Sequence, residues 1–256
     1  MVILYKFPRI WGLPCMSPYA MKVEAYLRLR GIEHQVRVGD PRKAPRGKLP
    51  WVETDGQLLG DSTLILDHFE GRHAKPLNAA LSRAQLARGW TLTRTLEEST
   101  VWALRHQRFI DPSGWPATRL ELRAMLPPLV RAFAPQIIRR QMRGQLWAQG
   151  LGRLTPDQMH GMASRDFDAA AAMLGDGPYL FGESVSSFDL TLFAFVTSFS
   201  CATARSPVTE HLLALPNLIS HCERLRERLY PEFPSWVASP LPAARLQATQ
   251  ASPIRS

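Results

Sequence analysis

Strand-like and helix-like segments alternate through the first 75 residues of this chain, and after Pro76 the strand pattern does not return. That one-way division restricts the fold more than any single motif. A sheet drawn only from the first quarter must be small, and the rest must bury its apolar faces helix against helix. "VILYKF" (2–7) is a compact β-rich run suited to a buried strand. A loop through Gly12 and Pro14 leads to Ser17-Pro18, which reads as an N-cap followed by the first helical residue. Ala20, Val23 and Leu27 give that helix one apolar face, and Gly31 closes it. "EHQVRV" follows as a second strand, then the irregular basic stretch "DPRKAPRGK". "LPWVET" and "QLLG" flank Asp55-Gly56 and predict a hairpin. Asp61 and Ser62 open a second helix, with Ser62 as its N-cap, Asp61 complementing the dipole and Gly71 ending it. Strand one reaches strand two through a helix, so those two should be parallel, and the hairpin makes the sheet mixed.

From Ala80 to about Tyr230 helical patterns follow one another, broken at "DPSGWP", "GLGRLTP" and "GDGPYLFGE". Pro127, Pro128 and Pro135 interrupt the middle of this region. Its clearest helix start is "ESVSSFDLTLFAFV". There Ser186 and Asp189 form a carboxylate capping box, with Val185 and Leu190 at the staple positions. The expected organisation is an α/β domain at 1–75, an all-helical domain at 80–240 and a mobile tail at 241–256 that has little to bury.

Composition narrows the function classes. The chain has 256 residues, 45% of them hydrophobic and 21% charged, which is the profile of a folded globular protein. No apolar run approaches the roughly 18 residues that span a bilayer. The N-terminus lacks the basic-then-apolar order of a secretory signal, so a cytoplasmic protein without a membrane partner is expected. The histidines show no metal-ligand spacing, and no metal is expected. Cys15, Cys201 and Cys222 are too few and scattered for a disulfide framework. The net charge of +9 raises nucleic acid as a partner. The arginines, however, are spread along helices without interleaved aromatics, which argues against that partner.

Four features taken in order resemble the glutathione transferase superfamily: Ser17-Pro18, "KLPW" at 48–51, "DST" at 61–63 and "PYLFGESVSSFDLTLFAFV" at 178–196. The resemblance implies a thioredoxin-like α/β N-terminal domain followed by an all-α C-terminal domain. Within the superfamily, "SPYAMKVEAYLRLRGIEHQVRV" and "GKLPWVE" are most similar to the failed-axon-connections and metaxin-like branch and its bacterial relatives.

The resemblance also implies a site. Leu49-Pro50 would be cis, with the Leu49 backbone pairing the cysteinyl part of glutathione as a co-substrate, and Lys48 reaching its glycine carboxylate. Ser62 and the amides around it would hold the γ-glutamyl carboxylate, as helix N-termini hold anions, while Asp61 meets the ammonium. Ser17 would donate a hydrogen bond that stabilises the glutathione thiolate, ready to attack a small electrophile. Trp11, Tyr19, Trp102 and His106 are candidates for the electrophile's pocket. Tyr5 lies inside the first strand and reads as a sheet residue. Cys15 falls two positions before the place where thiol-disulfide members of the fold carry their cysteine, and reads as packing. A homodimer is implied as well. A second reading keeps the fold as a non-catalytic binding or interaction module.

Overall fold

A computed structural model of the chain describes residues 1–201 and 206–235. The expected tail at 241–256 lies outside the described residues. Four strands form one sheet in the order β2-β1-β3-β4: β1 Val2–Lys6, β2 His34–Val38, β3 Trp51–Thr54 and β4 Gln57–Gly60. β1 and β2 are parallel, and β3 is antiparallel to both β1 and β4. The Asp55-Gly56 turn has positive φ at both residues (50° and 73°). This is the conformation that matches the right-handed twist of a two-residue hairpin.

Helix α1 (Pro18–Leu29) joins β1 to β2, and α2 (Ser62–Glu70) follows β4. The helical half comprises α3 (Arg83–Thr95), a π-helical segment at Leu96–Thr100, α4 (Val101–Phe109), α5 (Trp115–Met125), α6 (Ala134–Gln149), α7 (Pro156–Leu174), α8 (Ser187–Ser200), α9 (Pro207–Leu213) and α10 (Pro216–Leu229). Three of its breaks fall at the interruptions read from the sequence, and further breaks separate α8 from α9 and α9 from α10. Pro127 and Pro128 lie between α5 and α6, and Pro135 sits in the first turn of α6, where its missing N–H costs nothing.

One large core runs through both halves, joining Leu4, Val52 and Ile65 of the sheet half to Phe167, Phe193 and Phe199 of the helical half. α1 lies in the middle of it, against α2 on one side and α8 and α10 on the other. Consequently Lys22 and Glu24 are buried along with its apolar face, and each is paired: Lys22 with Glu97 and Lys6 with Glu24, both at 2.6 Å. Burying a charge is tolerated only with such a partner.

Candidate functional site

The sheet register brings three backbone features to one edge. Tyr5 and Gly60 both pair with Trp51, so the end of β1, the start of β3 and the end of β4 lie side by side. The loop to Ser17 leaves the first of these, Leu49-Pro50 leads into the second, and Asp61-Ser62 leaves the third.

Ser17 has the extended backbone of an N-cap (φ −96°, ψ 119°), with Pro18 in the first helical turn. Its side chain, however, makes no capping hydrogen bond, contrary to the capping role expected from the sequence. The carbonyl of Ser17 accepts from Ala20 and Met21 instead. The half-buried hydroxyl therefore stands at the positive end of α1 with no hydrogen-bond partner among the described residues. Two buried cations hold the loop before it. Lys6 Nζ donates to the Pro14 carbonyl at 2.7 Å, and Arg108 donates to the carbonyls of Met16 and Ser198. Burial lowers the Arg108 guanidinium to about 10, which leaves it charged at neutral pH.

Leu49-Pro50 is cis, as the resemblance implies. Leu49 packs with Ala44 and Trp51, and Tyr5 stacks on Trp51 with ring centroids 3.7 Å apart. Tyr5 is thus a sheet-face residue. Lys48 is exposed and has no ion pair among the described residues.

At the start of α2 the two candidates exchange structural roles. Asp61, not Ser62, is the N-cap: its Oδ1 accepts from the amides of Thr63 and Leu64 at 2.9 and 3.2 Å. The reason lies in the backbone, since Asp61 takes φ 81° and Ser62 is already the first helical residue. A non-glycine residue at such φ is costly and recurs at ligand-binding turns. Both cap bonds use Oδ1, so Oδ2 remains for a ligand. The Ser62 hydroxyl, in a buried residue, takes no partner among the described residues.

A network that sequence reading did not find joins these elements. Lys22, one turn beyond Ser17, donates to Thr63 Oγ1 at 3.3 Å as well as to Glu97. Tyr19 donates its hydroxyl to the Glu97 carbonyl at 2.6 Å. The first turns of α1 and α2 are thereby tied to the π-helical segment of the helical half. An i, i+5 segment inside a helix is a recurrent mark of functional positions, but no residue pattern announced it here.

The four proposed pocket residues do not form one group. Tyr19 and Trp102 are half-buried against the main core, with Arg105 over the Trp102 ring. Trp11 is instead 3% exposed in a separate apolar cluster with Met16, Phe109 and Trp115, with Arg108 over its ring. It packs the wall of the loop and does not line an open pocket. His106 faces His160 of α7 edge-to-face, with ring centroids 5.9 Å apart. Burial lowers both imidazoles below their usual value, and the His160 ring lowers His106 further. Unfolded histidines take up protons near pH 6.5, before these two do. Stability should therefore be level above about pH 6.5 and fall as the pH drops through that value toward the lowered ones. Thermal melts between pH 7.5 and 5 should show this fall, and His160→Asn should flatten it.

Cys15 is fully buried with Met21 and Ala194, its Sγ accepting from the Ser17 amide at 3.4 Å. Desolvation raises its thiol, so it is a packing group and not a nucleophile. Cys201 and Cys222 are likewise buried and form no disulfide. Among the described residues no cluster of three or more potential ligands could hold a metal.

Comparison with known proteins agrees with this fold. Residues 18–114 match the model of the glutathione S-transferase N-terminal domain, and 163–225 match that of the C-terminal domain. The isoprene-epoxide glutathione S-transferase of Rhodococcus sp. strain AD45 is 29% identical over 89% of this chain and 99% of its own length. Failed axon connections of Drosophila melanogaster is 26% identical over 91% of this chain, which spans 59% of that longer protein. Metaxin-3 of Xenopus laevis is 24% identical over 84% of this chain and 72% of its own length. Among solved structures, the beta-etherase LigF of Sphingobium sp. strain SYK-6 aligns over 97% of this chain and 99% of its own, with a TM-score of 0.60 at 17% identity. A glutathione S-transferase of Methylobacillus flagellatus with glutathione bound aligns over 91% and 100%, with a TM-score of 0.59 at 15% identity. The chain belongs to the glutathione S-transferase superfamily, with relatives in its failed-axon-connections and metaxin branch.

Proposed function

We propose that the chain binds glutathione along this sheet edge and stabilises its thiolate for attack on a small electrophile. The observation that carries the reading is the Ser17 hydroxyl, without a hydrogen-bond partner among the described residues, at the N-terminus of α1, which follows the same end of the sheet as the cis Leu49-Pro50 and the Asp61-Ser62 turn. In this reading the Leu49 backbone pairs the cysteinyl peptide, Ser62 receives the γ-glutamyl carboxylate, and Asp61 Oδ2 meets the ammonium. Lys48 reaches the glycine carboxylate. The glutathione thiol gives its proton to solvent. Ser17 donates to the resulting thiolate, whose lone pair then forms the carbon–sulfur bond as the electrophile's bond to its leaving group or ring oxygen breaks, the displaced electron pair taking a proton from solvent.

Tyr19 of α1 and Trp102 of α4 are the pocket candidates kept from the sequence. The Rhodococcus relative, an isoprene-epoxide glutathione S-transferase, and structures of family members holding glutathione or its sulfonate support glutathione as the ligand. The same reading takes in a homodimer and a cytoplasmic location.

Calorimetric titration with glutathione tests the binding step. Ser62→Ala should weaken affinity about 10- to 100-fold, the loss of one hydrogen bond to a charged group. No heat at millimolar glutathione with the native chain would end the proposal. Kinship with failed axon connections and metaxin-3 favours a second reading, a binding module on the same geometry. It gives glutathione affinity, or none, with no conjugate formed from any electrophile tried.

A further inference from the structure

The connection between α5 and α6 carries an apolar stripe that faces solvent. Arg131 N–H donates to the Pro127 carbonyl, Ala134 to Val130 and Ile137 to Phe133, so hydrogen-bonded turns lead from Pro127 into α6. Three large apolar residues recur at intervals of four along these turns and the first turn of α6. Leu129, Phe133 and Ile137 have that spacing and are 90%, 53% and 50% exposed. Leu129 is the most exposed large apolar side chain among the described residues.

Around the stripe the charge has a single sign. Arg119, Arg123, Arg131, Arg140 and Arg143 are exposed, and no ion pair to any of them is found among the described residues. The single acidic residue between 115 and 149 is Glu121, which is partly buried. The remaining arginine of the pair of helices, Arg139, turns inward instead. It donates to the carbonyls of Phe109 and Ile110 and lies over the Trp115 ring, anchoring α6. The inner faces of both helices are thus fixed to the protein, and the outer apolar-basic face covers nothing described.

We propose that this tip docks peripherally on an anionic membrane surface, with Leu129, Phe133 and Ile137 entering the headgroup layer and the arginines meeting lipid phosphates. An apolar stripe flanked by cations is the pattern that lies in a bilayer interface, where burial and electrostatic attraction act together. The alternatives fit less well. A second copy of this face would bring five unpaired arginines against five more. Single-stranded nucleic acid would be gripped by flat aromatics, whereas two of these three residues are aliphatic. No described helix is long and apolar enough to cross a membrane, so the contact is superficial.

Co-sedimentation of the full chain with vesicles tests this. It should sediment with phosphatidylglycerol-containing vesicles at physiological salt and stay in solution with pure phosphatidylcholine. The double variant Leu129→Ser/Phe133→Ser should lose binding about tenfold or more. Arg131→Gln/Arg140→Gln should lose a comparable amount and leave a weaker dependence on salt. Unchanged circular dichroism in both variants separates lost docking from lost fold. Absence of binding to either vesicle, equal binding to both, or native binding by the Leu129/Phe133 variant would overturn the proposal. So would retention of an oligonucleotide that anionic vesicles fail to displace.

Discussion

Ser17→Ala should lower kcat/KM for thiol transfer by about 10- to 100-fold while changing glutathione affinity by no more than about threefold. A hydrogen bond to a charged acceptor is worth roughly 1.5–3 kcal/mol, and each 1.4 kcal/mol corresponds to one pKa unit. The bound thiol should therefore ionise one to two units higher in the variant, displacing the acidic limb of the pH–rate profile upward by that amount. The structure supplies a second readout. A serine that caps a helix through its side chain loses about 1 kcal/mol on truncation, but this hydroxyl bonds to no amide of α1. The melting temperature of Ser17→Ala should thus stay close to native. A large drop in stability with an unmoved pH profile would assign Ser17 to the fold and remove it from the chemistry.

That separation between cap and site also marks how far the residues speak for themselves. The hairpin at Asp55-Gly56, the parallel β1–β2 pair and the helix breaks from α4 to α8 follow from local signals that three to six neighbouring residues carry. The cap of α2 was misread because both Asp61 and Ser62 suit the position. The choice turns on the φ of 81° at Asp61, which adjacent side chains do not encode.

The Lys22–Glu97 pair was not legible at all. Its partners lie 75 residues apart, and the spacing of Ala20, Val23 and Leu27 describes α1 as a helix with one wet face. Enclosure of α1 by α2, α8 and α10 overrides the pattern, since a helix enclosed on several sides must bury its polar residues too. Trp11 failed for the same reason. Its place in a satellite cluster depends on α4 and α5 arriving from a hundred residues away.

The largest effect on stability is expected at Asp189, where the sequence points only to a capping box worth about 1 kcal/mol. The box is there, but the carboxylate is fully buried and does more than close it. Oδ2 accepts from the Ser186 amide and hydroxyl at 2.8 and 2.6 Å. Oδ1 accepts from the Leu180 amide at 2.8 Å and faces His221 Nε2 at 3.0 Å. One side chain thus joins the loop after α7, the start of α8 and the middle of α10. Asp189→Ala strands these donors where water cannot replace the acceptor, and removing one partner from such a buried group costs about 3–5 kcal/mol. Asp189→Asn keeps one acceptor oxygen and should recover part of that loss. Urea denaturation of the three proteins measures the difference directly. A cost near 1 kcal/mol for Asp189→Ala would mean that the carboxylate only caps α8, and that His221 and Leu180 find other partners when it is gone.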